Sequence, residues 1–282
     1  MFRKIIQASP PNIQVFLAFT FGLASNLIVL SSLTSFPDTV EMNLLRQALG
    51  MITIFLMPAL MLLNLRGETP NEAWRLMPRA DWRLILPAVL VMPLFMDIGE
   101  WLYVEISSWT NVPEWWVSMR EASSASGGFF TDVLNGPNWV VGLGALLIVV
   151  IGPIAEEFFF RGTVQRLMTA QIGGTKSILL TAFFFAMMHL QVDQFASIFT
   201  LGLVLGYLYD RTQSLWTTIV AHVVFNGVSY AVELGWIGWH SPLYLAFITA
   251  VLGVGALLMA RSLPPTPVLP EPPKQSWDTS EE

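Results

Sequence analysis

Long apolar stretches separated by short polar ones divide the chain into helix-length segments. Runs near 13–33, 47–65, 84–104, 139–160, 178–191, 195–209, 215–233 and 242–260 predict eight membrane spans, because a hydrocarbon core of about 30 Å takes about 20 helical residues. The fifth and sixth runs are short, so neighbours should shield them or a buried turn at Gln191–Gln194 should join them. The first run is too long for a signal-peptide core and is expected to be retained as a helix. The expected fold is all-α, a polytopic membrane helical bundle of about eight transmembrane helices.

Charge then orients the bundle. With the N-terminus inside, Arg3, Lys4, Arg66, Arg75, Arg79, Arg83, Arg161, Arg166, Lys176, Arg211, Arg261 and Lys274 share one side, and only Arg46 and Arg120 fall on the other. An excess of basic residues marks the cytoplasmic side, so both termini are expected in the cytoplasm of a cell or inner membrane. The outer segment 105–138, with Trp109, Trp115, Trp116 and the adjacent Trp139, fits an interfacial belt or a short surface helix. Gly202 and Gly206 form a GxxxG, which permits close helix approach. Six prolines between Pro264 and Pro273 predict a disordered cytoplasmic tail over 262–282, leaving 1–261 as the membrane domain.

Composition agrees and excludes several classes. Hydrophobic residues make up 54% of the chain and charged residues 12%, about half the charged share of a soluble domain. The net charge is −6, with no basic patch or phosphate loop, so no nucleic-acid partner is expected. The absence of cysteine excludes disulfides, thiolate metal sites and a cysteine nucleophile.

Against this background Glu156, Glu157 and Arg161 stand out, together with His189, His222 and Asn226. A charge at mid-bilayer costs ~2.5–3.5 kcal/mol on insertion scales, which makes function the leading explanation. Measured from the inner ends of their predicted spans, Glu156 lies ~7 Å deep, His222 ~10 Å and His189 ~16 Å, so three helices bring polar groups into overlapping layers. Glu157 and Arg161 are four apart and share a face, which Glu156 does not. His222 and Asn226 are also four apart. A carboxylate with a histidine can activate water, and a histidine with an asparagine can supply N–H donors to an oxyanion. Asp97 and Glu100 lie three apart in the third span and could line a water-filled entry. Asp193 fits the hairpin turn, and His240 an interfacial position.

Glu156-Glu157-Phe-Phe-Phe-Arg161, Phe185-Ala-Met-Met-His189 and His222-Val-Val-Phe-Asn226 resemble, in order, the EExxxR, FxxxH and HxxxN motifs of the CAAX protease and bacteriocin-processing family. That family includes the type II CAAX prenyl endopeptidases. The resemblance implies a catalytic part over 132–261 and a glutamate-type intramembrane endopeptidase. Its substrate would be a peptide or protein, prenylated or otherwise membrane-bound. By position Glu156 and His189 would activate the water, His222 and Asn226 would stabilise the oxyanion, and Glu157 and Arg161 would support them. No cofactor is expected. The alternative is a zinc held by Glu156, His189 and His222, without the H-E-x-x-H helix of common zinc proteases. Two rivals remain at this level: a non-enzymatic bacteriocin self-immunity or peptide-binding membrane protein, and a proton-coupled transporter.

Overall fold

The computed structural model describes residues 2–74, 76, 80–81, 83–85, 87–89, 101–102, 104–106, 108–109, 113–192 and 194–236. Among these residues there are helices and turns and no strand. The helices are α1 (Phe2–Ala8), α2 (Pro11–Ser32), α3 (Val40–Arg66), α4 (Pro70–Trp74), α5 (Glu114–Leu134), α6 (Asn138–Ile172), α7 (Gly174–Met188), α8 (Phe195–Thr212) and α9 (Leu215–Glu233). The described positions between 83 and 106 are also helical. Helices α2, α3, α6 and α9 are each long and apolar enough to cross a membrane, and α7 is a shorter apolar helix. Phe16, Leu27, Ile28 and Trp216 point outward and are exposed, as side chains facing lipid would be. This is an integral membrane protein with an all-α fold.

Local chemistry sets the helix ends. Thr39 caps α3 by accepting from the Met42 N–H, and Ser214 caps α9 by accepting from Thr217, each satisfying an otherwise orphaned donor. Gly67 closes α3 at φ 78°, a left-handed conformation that glycine adopts without a Cβ penalty. Wide π-helical turns interrupt the long helices at Ile52–Leu56 in α3 and at Leu146–Ile151 and Phe160–Gln165 in α6. The first two end two residues before Pro58 and Pro153. A proline ring clashes with the carbonyl four residues back and removes an N–H, and a wider turn relieves the clash. The third contains no proline. Instead Thr163 Oγ1 donates to the Phe158 carbonyl at 3.0 Å, and Arg166 Nε donates to that of Gly162 at 3.0 Å.

The core is centred on α6. Phe159 and Phe160 contact Phe19 of α2, Phe55 of α3 and Phe185 of α7 with centroids 4.9–6.2 Å apart, mostly edge-on or tilted, the arrangement that aromatic quadrupoles favour. Helices α7 and α8 pack tightly because of the GxxxG. A Cβ on Gly202 would lie 2.9 Å from the Ala182 Cα, and one on Gly206 would lie 3.0 Å from Ile178 Cγ2. Trp74 stacks on Phe158 at 4.3 Å, fitted against the bare Gly162.

Several boundaries differ from the sequence reading. The fourth span does not end near residue 160. Helix α6 continues to Ile172, so Glu156 lies near its middle and the depth of ~7 Å from a helix end does not hold. The polar residues after Phe160 masked this continuation, although they are paired inside the bundle. The second span begins earlier, at Val40. The fifth ends earlier, at Met188, which puts His189 at the helix terminus. The segment 105–138 contains the 21-residue α5, with Trp109, Trp115 and Trp139 exposed around it. Asp97, Glu100, Asp193, His240, the eighth span, the tail and most of the third span lie outside the described residues.

Glu68, just beyond α3, ties the helix ends together. Its two oxygens accept from Arg66 Nε at 2.7 Å and Arg166 Nη2 at 2.6 Å. Burial pushes this carboxyl up, but Arg166 and Arg66 together hold it below the ordinary carboxylate value. A depressed carboxyl contributes stability that is present above its unfolded pKa and lost as pH falls through the folded one. The detergent-solubilised protein should therefore melt at lower temperature as the medium is acidified through the carboxylate range. Glu68→Gln should flatten that dependence, and an identical pH profile in the variant would contradict it.

Candidate active site

Three helices supply the site. Glu156, Glu157 and Arg161 come from the middle of α6, His189 from the end of α7, and His222 and Asn226 from α9. All six sequence-predicted residues are described; Glu156, Glu157, Arg161, His189 and His222 form two connected layers, and Asn226 bonds to α6 separately.

The inner layer is buried. Arg161 Nη1 donates to Glu157 Oε1 at 2.7 Å with both side chains fully buried, and Arg161 Nη2 donates to the Gly202 carbonyl of α8 at 3.1 Å. The guanidinium carbon sits 4.7 Å from the centroid of the Phe185 ring, a cation–π contact. Glu157 Oε1 has a second partner, His222 Nδ1 at 2.9 Å. An ion-paired carboxylate has no hydrogen to give, so His222 Nδ1–H donates. Glu157 thus bridges Arg161 and His222 and fixes the ring of the latter, which is 2% exposed.

The outer layer is partly open. Glu156 Oε2 lies 3.9 Å from His222 Nε2 and 4.0 Å from His189 Nε2. The His189 ring is oriented by its own helix: Nδ1 is 2.7 Å from the Phe185 carbonyl. A carbonyl only accepts, so here too Nδ1 carries the hydrogen. That contact helps to end α7. The ring takes the carbonyl that the His189 N–H would bind in a continuing helix, and the N–H turns to Ala186 instead. Leu190 follows at φ 54°.

With both rings neutral, each presents a lone pair on Nε2, and the Glu156 carboxylate presents another. Three acceptors converge with gaps too long for direct hydrogen bonds but suited to one small molecule between them. Such an arrangement can accept a proton from a molecule that enters it.

Asn226 has a partner in α6. Its Nδ2 donates to the Ile148 carbonyl at 3.0 Å. In the i→i+5 pattern of the π turn that carbonyl would pair with residue 153, and Pro153 has no N–H. Asn226 supplies the missing donor and keeps a second amide hydrogen.

The three donors considered for zinc are the three that converge, yet among the described residues no group of three His, Asp or Glu side chains is spaced to hold a metal ion. The sequence reading also missed Glu157 as the partner of His222. It missed Gln165 as well, which is fully buried with its Nε2 donating to the Gly206 carbonyl at 2.8 Å. Its spacing of four from Arg161 was the available signal. The GxxxG serves more than packing, since both glycine carbonyls receive side chains of α6.

Comparison with known proteins bears on the same segment. The chain is 27% identical over 84 residues to the Bacillus subtilis (strain 168) protein named "Putative membrane peptidase YdiL", an alignment covering 29% of this chain and 34% of that protein. It thus spans about a third of the length of that curated relative. No solved structure matches it. Residues 138–228, which contain all three motifs and the side chains just described, match the family described as type II CAAX prenyl endopeptidase Rce1-like, the family that the order of the motifs indicates.

Proposed function

We propose that this protein is an intramembrane endopeptidase of the glutamate type, hydrolysing a peptide bond in a membrane-bound peptide or protein with water activated by Glu156 and His189. The observation that carries the reading is the approach of both imidazole Nε2 atoms to one Glu156 oxygen, at 3.9 and 4.0 Å. Glu156 takes a proton from the water as its oxygen bonds to the peptide carbonyl carbon. His189 shares that proton. When the tetrahedral intermediate collapses, the C–N bond breaks and the proton passes to the leaving amine. No step needs a metal.

His222 stabilises the oxyanion, and its hydrogen bonding sets a condition. Because Nδ1–H is committed to Glu157, Nε2 can donate to the oxyanion only when it carries a hydrogen of its own. Asn226 contributes its second amide hydrogen. Turnover therefore needs Glu156 without a proton and His222 with one. Both termini face the cytoplasm in this reading, and a lipidated C-terminal peptide is the substrate class to test first.

The test incubates purified protein with a panel of prenylated and unmodified membrane peptides, with and without chelator. Cleavage that survives the chelator is expected. His222→Ala should lower kcat by about 10²–10³ with little change in KM. Peptide binding without cleavage would replace the enzyme by a peptide-binding membrane protein, and chelator-sensitive cleavage would replace the glutamate mechanism by a zinc one.

A further inference from the structure

Arg161 and Gln165 are four apart on α6, and Gly202 and Gly206 are four apart on α8. Arg161 Nη2 donates to the Gly202 carbonyl at 3.1 Å, and Gln165 Nε2 to the Gly206 carbonyl at 2.8 Å, each across the same offset of 41 residues. Two matched rungs therefore join the helices. Each carbonyl keeps one lone pair for its own helix and offers the other sideways, which is possible because glycine leaves it uncovered. A Cβ on Gly206 would lie 3.2 Å from Gln165 Oε1, so the second rung depends on glycine directly. Arg161 and Gln165 both belong to the third π turn, the one with no proline to account for it. Such turns recur at functional sites.

We infer that Gln165 is a positioning residue for the site. Its rung fixes the height of α6 against α8, which holds Arg161, then Glu157, and through Glu157 the Nδ1–H tautomer of His222. The inference rests on the peptidase reading for its kinetic consequence but not for its effect on His222. A single rung would let Arg161 swing about the Gly202 carbonyl, and Glu157 would no longer present Oε1 squarely to the imidazole. Glu156, Glu157, Arg161 and His189 are the charged or titratable groups around His222 whose arrangement would change.

Two variants of the full chain test this. Gln165→Leu cannot donate at any pH. Gln165→Glu has nearly the same shape but donates to Gly206 only when its carboxyl is protonated. With purified folded protein, Gln165→Leu should lower kcat by about tenfold to hundredfold with KM within about twofold. Gln165→Glu should recover toward wild type as pH falls. Nitrogen-15 spectra of the three histidines, with His222 identified by His222→Ala, should show Nδ1–H in the wild type and a mixture of tautomers in Gln165→Leu. Lower melting temperature with unchanged kcat, pH profile and His222 signal would overturn the inference and leave Gln165 a purely structural residue. Should Gln165→Leu fail to fold, the acid recovery of Gln165→Glu decides, and its absence overturns the proposal. If the wild type cleaves no peptide while the His222 signal still responds to Gln165, the peptidase reading fails and the positioning role stands.

Discussion

Glu156→Gln should leave a folded protein that no longer cleaves peptide. The amide keeps the size of the side chain and removes the basic oxygen on which His189 and His222 converge. General-base catalysis contributes about 10²–10⁴ in rate, so turnover should fall by at least the lower of those factors. The melting temperature should barely move. Glu156 is partly exposed, with 14% of its side-chain surface accessible, and its nearest partners stand at about hydrogen-bond distance plus 1 Å, so little stability is invested there. Turnover within a few-fold of wild type would remove Glu156 as the base.

Arg161→Met should have the opposite profile, with a large loss of stability. The variant strands the Glu157 carboxylate, fully buried, with only His222 for a partner. It also removes a donor from Gly202 and a cation from the face of Phe185. Breaking a buried pair by deleting one partner costs about 3–5 kcal/mol, whereas replacing both by neutral groups of similar volume is often tolerated. Glu157→Gln combined with Arg161→Met should therefore regain much of the stability lost by the single change, yet stay poorly active because a neutral amide replaces the carboxylate behind His222. Denaturation of the three proteins in detergent checks this. A loss below about 1 kcal/mol for Arg161→Met, as for an exposed ion pair, would contradict it.

Much of this arrangement is readable in the chain, and the unreadable parts have physical causes. Insertion cost singles out Glu156, Glu157, Arg161, His189 and His222 without any structure, and the fourfold spacing of Glu157 and Arg161 reads directly as a shared helix face. The 3.6-residue period fails where the backbone departs from it. The π turns of α6 shift the register, and the link from Asn226 to Ile148 depends on a carbonyl that only Pro153 and the wide turn release. Hydropathy also ended α6 near residue 160, because Arg161, Gln165 and Arg166 look like a loop when their partners on α8 and at Glu68 are unknown. The bridging of Glu157 to His222 joins residues 65 positions apart, which no local pattern encodes.

Everything in the mechanism depends on an activated solvent oxygen being delivered to a peptide carbonyl at Glu156. Digestion of a membrane-peptide panel in oxygen-18 water, with wild type and Glu156→Gln in parallel, reads that step by mass spectrometry. The wild type should yield fragments whose new C-terminal carboxyl carries the heavy isotope, and the variant should yield at most about a hundredth as much labelled product. Equal labelling by both proteins, or no cleavage by the wild type across the panel, would contradict it.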